Sequence, residues 1–173
     1  MSDKTILTKE LITAVCDQYL LDLHGIHGLK HWARVYDNGL LIAEDSGADR
    51  DVVQLFALFH DSCRENDGRD PCHGFRGAEL ADKFRGQYFD LDDERFELLH
   101  IACSIHTKAM IHVDITVQTC FDADRLDLGR VGKILDRDFL STDLGRQDQT
   151  MKQATQRSID NFVPDNFLGK FFA

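Results

Sequence analysis

The chain has 173 residues, 43% of them hydrophobic and 29% charged, a composition expected of one soluble globular domain with a substantial core. Its 20 basic against 30 acidic side chains give a formal charge of -10, which disfavours nucleic-acid polymers and anionic membranes as partners; an anionic substrate would need a local positive source. Five cysteines with no C-x-x-C pair fall mostly in apolar patterns and suggest reduced thiols in a cytoplasmic protein, and neither a signal-like run at Met1–Lys4 nor a segment of bilayer length is seen.

Only Pro71 and Pro164 interrupt the chain, and apolar spacings of three and four recur from end to end, so the expected class is all-α, a compact bundle of about six to eight helices. Thr8 can cap a first helix with Leu11, Ile12, Val15, Tyr19 and Leu20 inward, ending before Gly25. A glycine-punctuated loop from His24 then enters a second helix running to about Gly47, on which His31, Val35, Gly39 and Ile42 share a face. Taken alone, His31 reads as a core histidine satisfied by a carbonyl.

The third helix, about Asp49 to Asp61, is apolar nearly all round and is expected to be central, with His60 and Asp61 at its buried end. A polar loop follows to His73, which opens a fourth helix with His73, Gly77, Leu80 and Phe84 on one face. On the fifth helix, after a loop at Tyr88–Asp92, the spacing sends His106 inward with Phe96, Leu99 and Cys103 and leaves His100 on the surface. Met110–Ile115 is a loop or short extended piece. From Thr116 a sixth helix aligns Val117, Cys120, Asp124 and Leu128, while Asp122 and Asp127 turn away and are expected to be solvated or to pair along the helix. A last helix is expected near Leu144–Phe162, and the apolar tail Asn166–Ala173 is expected to dock on the domain, a homodimer contact being the alternative. One domain, 1–173, is expected, with a metal-binding core at 27–132 and a C-terminal helix and tail at 133–173.

Successive inward faces thus carry His31, His60 with Asp61, His73, His106 and Asp124. Burying so many imidazoles and carboxylates without a partner costs several kcal/mol, whereas a divalent cation turns them into a coordination shell. A donor set of imidazole and carboxylate without thiolate suits manganese, iron, cobalt, nickel or zinc, with magnesium less favoured as histidines accumulate.

The order His31, His60-Asp61 and Asp124 on helices, over roughly His27 to Gly132, resembles the HD-domain superfamily of metal-dependent phosphohydrolases. The resemblance implies a first metal ion at those four residues that activates water for attack on phosphorus. His73 and His106 match the positions of two further histidines in members with a second metal, with Asp61 as the bridge. No Gly-Tyr-Pro follows His106 and no Glu-Asp follows the pair, which argues against cyclic-dinucleotide and alarmone hydrolysis. A nucleotide or other small phosphate ester is the implied substrate; a mixed-valent di-iron oxygenase and a non-catalytic metal- or nucleotide-binding module are the alternatives. Arg64 is the first candidate for a phosphate contact, with Arg76, Lys108 and His27 behind it, and Glu65, Asp67 or Asp70 could serve as general acid or base.

Overall fold

In a computed structural model that describes residues 5–170, the chain forms eight α-helices and two short 3-10 turns, with no strand among the described residues. The helices are α1 (Lys9–Cys16), α2 (Leu29–Ser46), α3 (Arg50–Phe59), α4 (His73–Phe84), α5 (Asp93–Ile105), α6 (Ile115–Arg125), α7 (Asp148–Ile159) and α8 (Phe167–Lys170). None of the described helices is long and apolar enough to cross a membrane. The apolar run in α3 has the consequence expected of it: every residue from Val52 to Phe59 is buried, and the helix touches α1, α2, α4, α5 and α6. Each large side chain hidden there, Leu55, Phe56, Leu58 and Phe59 among them, contributes about 1.5–3 kcal/mol.

Local chemistry sets the helix limits. The Asp49 carboxylate accepts the N–H groups of Asp51 and Val52 to start α3, and it also pairs with Arg95 of α5 at 2.7 Å. Gly47, at φ 77°, ends α2 in the left-handed region that a glycine adopts without strain. The first helix is shorter than expected. It stops at Cys16, where the N–H groups of Gln18 and Tyr19 tighten onto the Val15 and Cys16 carbonyls, so Leu20 lies 75% exposed instead of inward.

Two aspartates expected in solvent are buried. Asp122 receives the N–H groups of Ser141 and Thr142 and the Thr142 hydroxyl, because the segment after the second 3-10 turn (Arg137–Phe139) folds over α6. Asp127 lies beyond the end of α6, so the helical spacing that placed it outward does not apply. The helix expected near Leu144–Phe162 is α7, which is shorter than that span, and the short α8 follows it. In the tail Leu168 is fully buried, and the Asn166 amide donates to the Ala33 carbonyl and Asp37; Phe171, Phe172 and Ala173 lie outside the described residues, as do Met1–Lys4.

Two glycines of α4 control how close the helices come. A Cβ at Gly77 would fall 2.3 Å from the Phe59 carbonyl oxygen, and one at Gly74 would fall 2.2 Å from the Cys103 carbonyl oxygen and 2.9 Å from the His106 ring. The bare backbone of α4 therefore presses on the ends of α3 and α5, where His60 and His106 stand. Gly77→Ala should lower stability by about 1–3 kcal/mol and weaken metal binding together, as read by denaturant titration and metal titration. Wild-type values in both would contradict this packing.

Candidate metal centre

His31 comes from the first turn of α2, His60 and Asp61 from the end of α3, His73 from the start of α4, His106 from the end of α5 and Asp124 from the last turn of α6. The structure brings all six together. They form two groups, His31 with His60 and Asp124, and Asp61 with His73 and His106, each with its donor atoms within 4.8 Å of one another. Asp61 faces both. Its Oδ1 lies 3.0 Å from His73 Nε2 and 3.9 Å from His106 Nε2, and its Oδ2 lies 3.6 Å from His31 Nε2 and 4.0 Å from His60 Nε2. Asp124 Oδ1 is 3.4 Å from His31 Nε2 and 3.9 Å from His60 Nε2.

The second nitrogen of each ring decides the tautomer. His60 Nδ1 donates to the Phe56 carbonyl, His73 Nδ1 to the Asp70 carbonyl, His106 Nδ1 to the Cys103 carbonyl and His31 Nδ1 to the Asp127 carboxylate. A carbonyl only accepts, so these rings carry their proton on Nδ1 and leave a bare lone pair on Nε2. Those lone pairs face each other. His31 Nε2 and His60 Nε2 are 3.0 Å apart, and His73 Nε2 and His106 Nε2 are 3.1 Å apart. With no proton to share, each pair suits a cation, and all-nitrogen and oxygen donors suit the divalent metals named above. The residues present fit the group.

The electrostatics agree. Burial drives the pKa of His60 down to about 3, and burial lowers that of His106 as well, so both rings stay neutral. Burial alone would raise Asp61, but the His60 imidazole, the His27 hydrogen bond and the His73 ring beside it outweigh it and hold the carboxyl well below its usual range. In Asp124, too, burial is overridden, here by the neighbouring His31 and His60 imidazoles and the Arg130 guanidinium. Both carboxylates are therefore ready ligands.

Around them stands a set of cations in a chain of net charge -10. A cavity of about 290 Å³ over the two groups is lined by His27, Asp67, Arg64, Arg130 and Lys133 among others, and Arg69 and Lys108 line the space beside it. His27, buried, donates from Nδ1 to Asp61 Oδ2 at 2.8 Å. Arg64 Nε is 3.1 Å from Asp61 Oδ1 at an angle that leaves its N–H unpartnered, while its Nη1 holds the Asn66 and Gly68 carbonyls. Two of the expected contacts stand elsewhere. Arg76 is tied to the Cys63 carbonyl and to Asp70, and exposed Glu65 lies 3.7 Å from Arg76, so neither lines the cavity. His100 is outside the site beside Glu79.

Three residues that spacing did not reveal complete the site. Asp127, 1% exposed, accepts from His31, from Arg34 through Nε and Nη2, and from the Ser158 hydroxyl of α7. The mutual arrangement holds its pKa at about 2, burial being outweighed by His31 and Arg34. Arg34 had a signal, since it follows His31 by three residues on α2. Arg130 had none. It sits in the 3-10 turn Leu128–Val131, with Nε on the Ile26 carbonyl and Nη1 on the Asp127 carbonyl, and its guanidinium is 3.9 Å from both Asp61 and Asp124.

Elemental analysis after reconstitution with Mn²⁺, Fe²⁺ or Zn²⁺ should find one ion for each of the two donor groups. His73→Ala should lose one of them and Asp61→Ala should disturb both. At a hundredfold excess over the dissociation constant, metal should stabilise the fold by about 2.7 kcal/mol. A single ion in the native protein, unaffected by His73→Ala, would refute the paired arrangement.

Comparison with known proteins agrees with this geometry. The HD domain family model matches residues 28–129, more than half of the chain and all six donor residues, with His27 and Arg130 just beyond its two ends. No curated protein and no solved structure gave a match. An all-helical frame, two buried His/Asp groups and this match over most of the bundle establish that the chain belongs to the HD-domain superfamily of metal-dependent phosphohydrolases.

Proposed function

We propose that this protein hydrolyses a small phosphate ester, with two divalent metal ions held by His31, His60 and Asp124 on one side and by His73 and His106 on the other, and with Asp61 shared. The observation that carries the reading is the ring of cations, Arg64, Arg69, Lys108, Arg130 and Lys133, gathered over these groups in an otherwise acidic protein. Phosphate is the ligand class that such a ring selects. When bound, the ions supply Lewis acidity for water activation and neutralise phosphate charge.

The chain's own residues do the rest. Arg64 and Arg130 are pinned by main-chain carbonyls, so they present fixed N–H groups to phosphate oxygens without ordering cost on binding. His27 holds Asp61 by its Oδ2 and so fixes how the carboxylate divides its two oxygens between the donor groups. Asp67, on the cavity wall, is the carboxyl placed to exchange a proton with the departing oxygen, a role that Glu65, turned to Arg76, does not share. Lys108 at the neighbouring wall adds charge where further anionic groups of a substrate would lie.

A screen of phosphomonoesters, phosphodiesters and nucleotides with metal-reconstituted protein tests this. Release of phosphate or pyrophosphate is expected, abolished by Asp61→Asn. Asp67→Asn should lower kcat by about 10²-fold or more, as for loss of a general acid, and Arg64→Ala should mainly raise KM. No turnover of any ester, combined with oxygen consumption and a mixed-valent iron signal, would replace hydrolysis by the oxygenase reading.

A further inference from the structure

The space over the donor groups has two unlike ends. Towards His73 its walls are Arg64, Arg69, Asp70 and Lys108, with Gly68 and Pro71 between them. The other end, bordered by His106 and Asp124, is a lobe of about 360 Å³ walled by Ala109, Met110, Leu128, Ile134, Leu135 and Phe139. His106, Asp124, Leu128 and Lys133 also line the central cavity, so the lobe opens directly onto the donor groups. Its volume falls within the range of small-molecule sites, about 300–1,000 Å³.

The lobe is a built feature with a braced floor. Arg125, nearly buried and set over the Phe121 ring, donates to the carbonyls of Met110 at 2.9 Å, Phe139 at 2.7 Å and Ala109 at 2.6 Å. One guanidinium thereby ties the α5–α6 connection to the segment that follows α6, and both contribute walls of the lobe. Yet the walls remain open to water: Met110 is 51% exposed and Phe139 47%. Apolar surface held apart in this way gains free energy when an apolar ligand covers it.

We infer that this lobe receives the organic group of the substrate, and that the group is an apolar ring, aryl or similar, joined directly to the phosphate oxygen. The inference rests on the phosphohydrolase reading above. A phosphate lodged at the donor groups must send its substituent to one end or the other. The cationic end suits phosphate oxygens and further anionic groups; in the apolar end the polar groups, Thr107, Lys108, Lys133, Asp136 and the committed Arg125, are outweighed by apolar wall. Because His106 and Asp124 form the border, the first atoms beyond the ester oxygen already meet apolar walls. A sugar attached at that point would cover the same walls with hydroxyls and gain less than an apolar ring from removing them from water.

Phenylphosphonate and methylphosphonate, titrated calorimetrically into the metal-reconstituted protein, test the lobe without any hydrolysis. Phenylphosphonate should bind more tightly by about tenfold or more, from the ring surface removed from water. Met110→Asp and Phe139→Ala alter half-exposed side chains, and each should bring the affinity ratio towards one. Arg69→Ala should weaken both ligands and leave the ratio unchanged. A ratio near one in the native protein, a ratio that survives both lobe variants, or no binding of either phosphonate would overturn the inference. Failure of every ester in the hydrolysis screen would count against the proposed reaction and leave this ratio intact.

Discussion

Two pairs of imidazole nitrogens, each with a lone pair aimed at the other and no proton between them, are the constraint on which the rest of the structure depends. An unsatisfied buried acceptor costs about 1–3 kcal/mol, so four of them oppose folding by an amount comparable with much of a domain's stability. Burial has driven His60 down to about 3, so its own ring takes up no proton near neutral pH. A cation relieves the lone pairs, and the two carboxylates that face the same points, Asp61 and Asp124, are held ionised to receive it. The fold supplies this arrangement by committing each Nδ1 elsewhere: three to carbonyls within their own helical turns or the preceding loop, and the fourth to Asp127.

That fourth contact connects the donor groups to the C-terminal part of the chain. Asp127 joins His31 to Arg34 on the same helix and to Ser158 on α7, and Arg34 reaches on to the Phe162 carbonyl. The segment after α6 also contributes Arg130 and most of the apolar lobe. The helices from α2 to α6 therefore build the metal-binding groups, and the chain beyond them shapes what can approach. A shared donor set with a variable approach is how one fold supports many substrates.

Much of this was legible in the sequence for a physical reason. Within a regular helix, a side chain's direction follows from its position, so the inward placement of His31, His73 and His106 could be read from apolar neighbours three and four residues away. The central place of α3 was legible from its lack of a polar face. Where helical periodicity ends, the reading ended with it. Asp127 follows α6 by two residues, Arg130 belongs to a 3-10 turn, and Asp122 is buried by a segment distant in sequence, so none of their surroundings is encoded by spacing. Leu20 was misplaced in the same way, by extending a helix that its own turn at Gln18 and Tyr19 closes. The loop Ser62–Cys72 was recognisable as a loop beside the site, but which of its charges faced the cavity depended on tertiary pairing, and Arg76 and Glu65 are drawn to partners outside it.

Anomalous scattering from crystals grown with Mn²⁺ tests the shared role of Asp61 most directly. Two peaks are predicted, one against Asp61 Oδ2 with His31, His60 and Asp124, the other against Asp61 Oδ1 with His73 and His106. A single peak, or imidazoles turned so that Nδ1 faces the ion, would contradict the arrangement in which one carboxylate serves two metal ions.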